Sequence, residues 1–154
     1  MTAWRITKAQ TSLEAFSGEG AKLYGGRWNS RGTAVIYTAA TRSLAMLEVL
    51  VHLRGGRQMT PLIPFLLYPV TFDESLVEAA QDHPLPQDWD HEPPLQSSQS
   101  FGDRWASACS SAVLAVPSVI IPAELNYLLN PRHPRFPKLK IGKPEPCRID
   151  PRLI

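Results

Sequence analysis

Residues 25–53 read GGRWNSRGTAVIYTAATRSLAMLEVLVHL, and how this stretch folds decides the architecture of the chain. Thr33–Ala39 is β-branched and aromatic enough to predict a strand. Arg42 to Leu53 predicts a helix, with Thr41 or Ser43 as its cap and Gly55-Gly56 as its stop. Placed at about 100° per residue, Leu44, Met46, Leu47, Val49, Leu50, Val51 and Leu53 point in nearly every direction. A helix that is apolar all round is normally buried. Yet Glu48 and His52 stand four residues apart, about 40° from each other, and make one polar seam along it.

The rest of the chain extends this alternation without regularity. Residues 4–7 (WRIT) predict a short first strand, and residues 16–32 read as a loop rich in Gly, Ser, Asn and Arg. Residues 62–72 (LIPFLLYPVTF) predict a strand edged or interrupted by Pro64 and Pro69. Residues 73–100 are acidic and proline-rich and predict an irregular crossing with at most a short helix. Ser100 is placed to cap a helix from Gly102 to Ser110. AVLAV and SVIIP then read as two strands joined at Pro117. A turn opens at Asn130-Pro131, and FPKLKI predicts a last strand. Strands and helices alternate without the spacing of βαβ units. The expected class is therefore α+β, a single domain over residues 1–154 with mixed sheets and flanking helices.

The totals exclude several classes. With 154 residues and 44% hydrophobic content the chain is long enough for one sizeable core. No run of eighteen apolar residues is present, and the N-terminus lacks the apolar block of a signal peptide, so a cytoplasmic protein with no membrane partner is expected. The two cysteines, Cys109 and Cys147, have no metal-type spacing and form no disulfide framework. HExxH, GxSxG and Walker-type loops are missing, and His83, His91 and His133 read as surface residues of proline-rich loops. No metal is expected.

Net charge is only +2, but it is unevenly spread. Residues 1–57 hold eight Lys/Arg against three acids, and residues 58–103 hold eight acids and no Lys/Arg. That is not the dense basic patch of a nucleic-acid binder. It suits a pocket for a small anion near the arginine-rich front half, although solvated surface charge accounts for many of these residues equally well.

The polar seam has two readings. Glu48 faces water at a sheet edge or pairs structurally with an arginine, or else the seam lines a polar pocket in a dry core. An ionised carboxylate in such a pocket needs cations or donors to meet it. Arg27 and Arg31 stand just upstream in the Gly-rich loop, and an arginine fork recognises phosphate or carboxylate at two points. Tyr37 is either core or a ring stacked on a heterocycle. Ser118 is either structural or one of the few polar groups in its layer.

Taken together, LYGGRWNSRGTAVIYTAATRSLAMLEVLVHL (23–53), SFGDRWASACSSAVLAVPSVIIPAELNYLLNPRHPRF (100–136) and CRIDPRL (147–153) resemble the RES domain, the toxin half of bacterial RES–Xre toxin–antitoxin pairs. The likeness runs from Trp4-Arg5 to Leu153 and is weakest over residues 73–96. The Arg, Glu and Ser of the family's name match Arg27, Glu48 and Ser118, and the family's tyrosine matches Tyr37. The resemblance implies a fold related to ADP-ribosyltransferases and a toxin that consumes NAD⁺ as substrate, by hydrolysis or phosphorolysis, or by ADP-ribosylating a protein. Arg27 would hold the pyrophosphate with Arg31 second, Tyr37 and Ser118 would meet the nicotinamide-ribose end, and Glu48 would act at the ribose. A role for His52 in tuning Glu48 or touching ligand follows from the seam alone. The implied partner is an Xre-type antitoxin that blocks the pocket and carries the DNA binding, and apolar segments such as Leu62–Val70 suggest a homodimer. A non-catalytic nucleotide-binding module is the alternative from another class. An RNA-cleaving toxin fits less well, for want of a basic groove or a two-histidine arrangement.

Overall fold

Thr41 ends the approach to the central helix by accepting the Leu44 backbone N–H on its hydroxyl at 3.0 Å, which makes it the cap. The helix, α2, runs Arg42–Arg54 and follows the strand β2 (Ile36–Ala39) after two residues. The computed structural model describes residues 1–54 and 63–153, so the expected stop at Gly55-Gly56 and the start of the apolar run at Leu62 lie outside the described residues. α2 lies across β2 and β1 (Thr2–Lys8), with Leu44 and Ala45 buried against them beside Trp4 and Ile6. It is not buried all round. Leu47 and Val51 are exposed, at 36% and 52%, so the helix shows an apolar strip as well as its polar seam to the outside.

One sheet organises the molecule. Its remaining strands are β3 (Phe65–Thr71), β4 (Val77–Ala79), β5 (Val113–Pro117), β6 (Leu125–Leu129), β7 (Lys140–Ile141) and β8 (Glu145–Cys147). Among the described residues the order is β4-β5-β6-β2-β1-β3-β7, with β8 also on β3. Among these strands only β4 and β5 pair in parallel. Ala39 faces Asn126 on β6 and Trp4 on β1, so β2 is the junction of the two halves. Because side chains alternate along a strand, β5 and β6 serve two layers. Val113, Ala115, Tyr127 and Leu129 face one core with Ile36 and Val70. Leu114, Val116 and Leu128 face another, closed by Trp28 and by Phe101, Trp105 and Ala106 of a helix, α3 (Gln96–Ala108). This is the expected α+β class, built on a single mixed sheet.

Several boundaries differ from expectation, each for a local reason. The ladder of β2 covers only Ile36–Ala39, because residues 33–35 still belong to the loop that leads into it. A short helix, α1 (Glu19–Tyr24), interrupts the expected loop 16–32. α3 starts at Gln96, not Gly102, and Ser100 lies inside it; the buried Ser98 hydroxyl bonds back to the Leu95 carbonyl, which lets a polar first turn pack inward. SVIIP is not a strand. Pro117 and Pro122 lack ladder donors, and the Ser118 hydroxyl accepts the Ile120 and Ile121 N–H groups at 3.1 and 3.2 Å, forming a turn. The strand paired to β5 is β6, from LNYLL, one turn later. FPKLKI splits into a helical turn at Phe136–Lys138 and the two-residue β7. No helix among the described residues is long and apolar enough to cross a membrane.

Candidate active site

The loop before β2 is a knot, and its centre is Asn29. This side chain is fully buried, and its amide N–H groups donate to the carbonyls of Ala21, Ser30 and Thr33 at 2.8–3.1 Å. Its Oδ1 accepts the Tyr37 hydroxyl at 2.6 Å, and that hydroxyl in turn accepts the Trp28 N–H at 3.1 Å. Burial pushes the Tyr37 phenol well above its ordinary range, so it stays protonated and keeps donating. Helix α3 holds the knot from outside. Gln99 donates to the Gly26 carbonyl at 3.0 Å, and Asp103 accepts the Ser30 N–H at 2.9 Å.

Two glycines permit this closeness. A Cβ on Gly26 would sit 2.6 Å from the Tyr37 hydroxyl, and one on Gly102 would sit 1.8 Å from the Trp28 carbonyl oxygen. The second obstacle is backbone and cannot swing away. Gly102→Ala should therefore cost at least the roughly 1–3 kcal/mol of an overpacked core and lower Tm by several degrees. Gly20→Ala, where a Cβ meets nothing within 4 Å, is the control and should leave Tm within a degree or two. Equal melting of the two variants would mean that α3 does not clamp the loop.

Beside the knot lies a cavity of about 820 Å³. Glu48 stands on its wall. Glu48 Oε1 accepts from Asn126 Nδ2 at 2.6 Å and from the Ser118 hydroxyl at 3.1 Å. Both lone pairs of that hydroxyl are already taken by Ile120 and Ile121, so its proton has one destination, the carboxylate. Glu48 makes no ion pair among the described residues, and its Oε2 has no partner there. A carboxylate fixed by two neutral donors, with one oxygen open to a cavity, keeps its charge available for whatever enters.

Ser118 itself is fully buried and does not line the cavity; it acts on Glu48. Tyr37 and His52 both line it, His52 from an exposed position one turn along α2. Arg27 also reaches the cavity, but its fork is engaged by the crossing segment: Nη1 donates to the Trp89 and His91 carbonyls at 3.0 and 2.7 Å, and Nη2 pairs with Glu92 at 2.7 Å. Arg31 is exposed and is not among the lining residues, so the structure does not bring this candidate to the cavity with the others.

Two further residues belong to the site and were missed by sequence reasoning. Asn126 is the nearest partner of Glu48, and its own Oδ1 is buried with no donor among the described residues. Arg5 lines the cavity from β1. β1 and β2 pair at one register point only, and in the gap beyond it Arg5 donates to the Tyr37 carbonyl at 2.8 Å and to the Ala15 carbonyl, with the Phe16 ring 5.8 Å away. Burial lowers its pKa to about 10, still a cation at neutral pH, and no carboxylate pairs with it among the described residues. An arginine in the middle of a first strand and an asparagine in LNYLLN were the available signals.

The fold matches a chain of the crystal structure of the M. tuberculosis MbcT–MbcA toxin–antitoxin complex, at a TM-score of 0.76 and 19% identity over 96% of this chain and 84% of that one. Sequence comparison goes further: residues 2–150 match the RES domain, and the chain belongs to that family. A Prs ADP-ribosylating toxin of Sphingobium sp. (strain YBL2) is 44% identical, covering 98% of this chain and 95% of the relative. A toxin named Res from Yersinia enterocolitica is 38% identical over 99% of both chains. Another, from Photorhabdus laumondii, is 37% identical over 100% of this chain and 97% of its own.

Proposed function

We propose that this chain is the toxin of a type II toxin–antitoxin system and cleaves the nicotinamide–ribose bond of NAD⁺, passing the ADP-ribosyl group to water or phosphate. The observation that carries the reading is Glu48: a carboxylate with no ion pair among the described residues, oriented by Ser118 and Asn126, on the wall of a cavity that also holds arginines. Breaking the bond develops positive charge on the ribose carbon, as in glycoside hydrolysis. A fixed carboxylate meets that charge more strongly in the transition state than in the ground state. The bonding pair leaves with nicotinamide, whose ring nitrogen goes from cationic to neutral. Water or phosphate then attacks the ribose carbon, water giving up its proton to a base, the role assigned in this reading to the open Glu48 oxygen. Tyr37 packs at the nicotinamide-ribose end, and His52 borders it. Arg27 and Arg5 supply positive charge for the pyrophosphate.

Transfer to a protein side chain is the second reading, supported by the name of the 44%-identical relative. Product analysis separates the acceptors. Incubation of the purified chain with NAD⁺ should give free nicotinamide, with ADP-ribose in plain buffer and its 1-phosphate when phosphate is the acceptor. Label retained on a protein would favour the second reading, and no nicotinamide at all would leave a nucleotide-binding module.

Arg27→Lys keeps a charge but loses the planar fork. NAD⁺ binding should weaken about tenfold, as for loss of one charge-assisted hydrogen bond, while Lys22→Ala, on the outer face of α1, should not change it. Equal calorimetric affinities of native and Arg27→Lys proteins would put the pyrophosphate elsewhere. An Xre-type antitoxin is the proposed partner, covering the cavity. A homodimer is proposed as well, but not through the segment expected to mediate it: Phe65, Leu67, Tyr68 and Val70 are buried in β3, and the exposed apolar surface is that of Leu47 and Val51 on α2.

A further inference from the structure

Arg27 is held by contacts of two different kinds. The Trp89 and His91 carbonyls take Nη1, and they are part of the fold: Trp89 stacks on the buried Trp28 with ring centres 6.0 Å apart and planes inclined by 16°. Glu92 takes Nη2 at 2.7 Å, and that carboxylate has no other side-chain hydrogen bond among the described residues. The Arg27 side chain is 14% exposed and the Glu92 side chain 75%. Both line the cavity.

To a guanidinium, a carboxylate and a phosphate present the same thing, a pair of negatively charged acceptor oxygens. The backbone contacts keep the fork oriented whether or not Glu92 is there, so the acid is not needed to aim it. What Glu92 adds is negative charge at the place where an anionic ligand would meet Nη2. Its own exposure makes it the partner most easily exchanged, since an ion pair with one solvated member is weak.

We propose that Glu92 occupies on Arg27 the position of a substrate phosphate oxygen, so that a ligand bearing a pyrophosphate binds by displacing it. Glu92 is then a specificity-determining residue: it lowers affinity for phosphorylated ligands and leaves unphosphorylated ones untouched. This rests on Arg27 as the phosphate anchor in the reading above. The opposite arrangement, in which Glu92 helps to hold Arg27 in place, predicts the opposite sign when its charge is removed.

The test is calorimetric titration of the full chain and its Glu92→Gln variant with ADP-ribose and with nicotinamide riboside, at one salt concentration. Glu92→Gln should tighten ADP-ribose up to about fivefold, the equivalent of one exposed ion pair, and leave the riboside unchanged. Adding Arg27→Ala should erase the gain. ADP-ribose bound equally or more weakly by Glu92→Gln, or a riboside that tightens by the same factor, overturns the proposal, as does a native chain that binds neither. The titration uses no turnover. A chain that binds ADP-ribose as described but releases no nicotinamide would sink the catalytic reading alone.

Discussion

Glu48→Gln should reduce NAD⁺ turnover roughly a hundred- to thousand-fold, the usual cost of removing one electrostatic group that meets transition-state charge. The substitution keeps the shape, and the Asn126 amide and Ser118 hydroxyl can still donate to the remaining carbonyl oxygen. What is lost is the negative charge beside the ribose carbon. The melting temperature should therefore change little, and affinity for ADP-ribose should stay within a few-fold, because the loss lies in the transition state and not in the ground state. A folded Glu48→Gln protein that consumes NAD⁺ at the native rate removes Glu48 from the mechanism.

Asn126→Asp should be nearly as damaging, by a different route. The amide nitrogen lies 2.6 Å from Glu48 Oε1, and an oxygen in its place puts two carboxylates in contact. Such a pair cannot ionise fully and holds one proton, with one of its pKa values strongly raised. At neutral pH the shared proton takes charge from Glu48, and turnover should fall about a hundredfold. Raising the pH should recover part of it, so the variant's rate relative to the native protein's should climb with pH. Stability follows the same proton with a fixed sign. Between the ordinary carboxylate range near ~4 and the raised folded value, the folded state binds more protons than the unfolded one. Stability relative to the native chain then falls as pH rises through that window. A native rate with a flat profile would show that Asn126 does not control the carboxylate.

The central segment was legible because its signals are local. A β-branched run, a threonine cap and a polar seam at i and i+4 all lie within residues 33–53, and the structure turns that seam toward a cavity. The seam also shows what periodicity could not supply. Seven apolar positions around α2 suggested full burial, yet Leu47 and Val51 face outward, because composition does not say which side the sheet covers. Ser118 was singled out, but its role depends on a turn that reads as β from SVIIP until the missing N–H groups of Pro117 and Pro122 are counted. With that turn misassigned, β6 shifted by several residues, and Asn126 had no reason to stand opposite Glu48. Arg5 was hidden differently: only the one-residue pairing of β1 with β2 makes room for a guanidinium between them. Arg31 had the right chemistry in the right loop, and four residues of offset from Arg27 were enough to leave it in solvent.

Central to the proposed mechanism is that Glu48 meets positive charge developing on the ribose carbon as nicotinamide departs. The most direct measurement is the secondary isotope effect on NAD⁺ cleavage with deuterium or tritium at C1′ of the nicotinamide ribose, read from released nicotinamide. A carbon that loosens toward a cation before the acceptor bonds gives a normal effect, clearly above unity, and this is the predicted result. An effect at unity during measurable cleavage, or no nicotinamide released from NAD⁺ by the native chain, would contradict it.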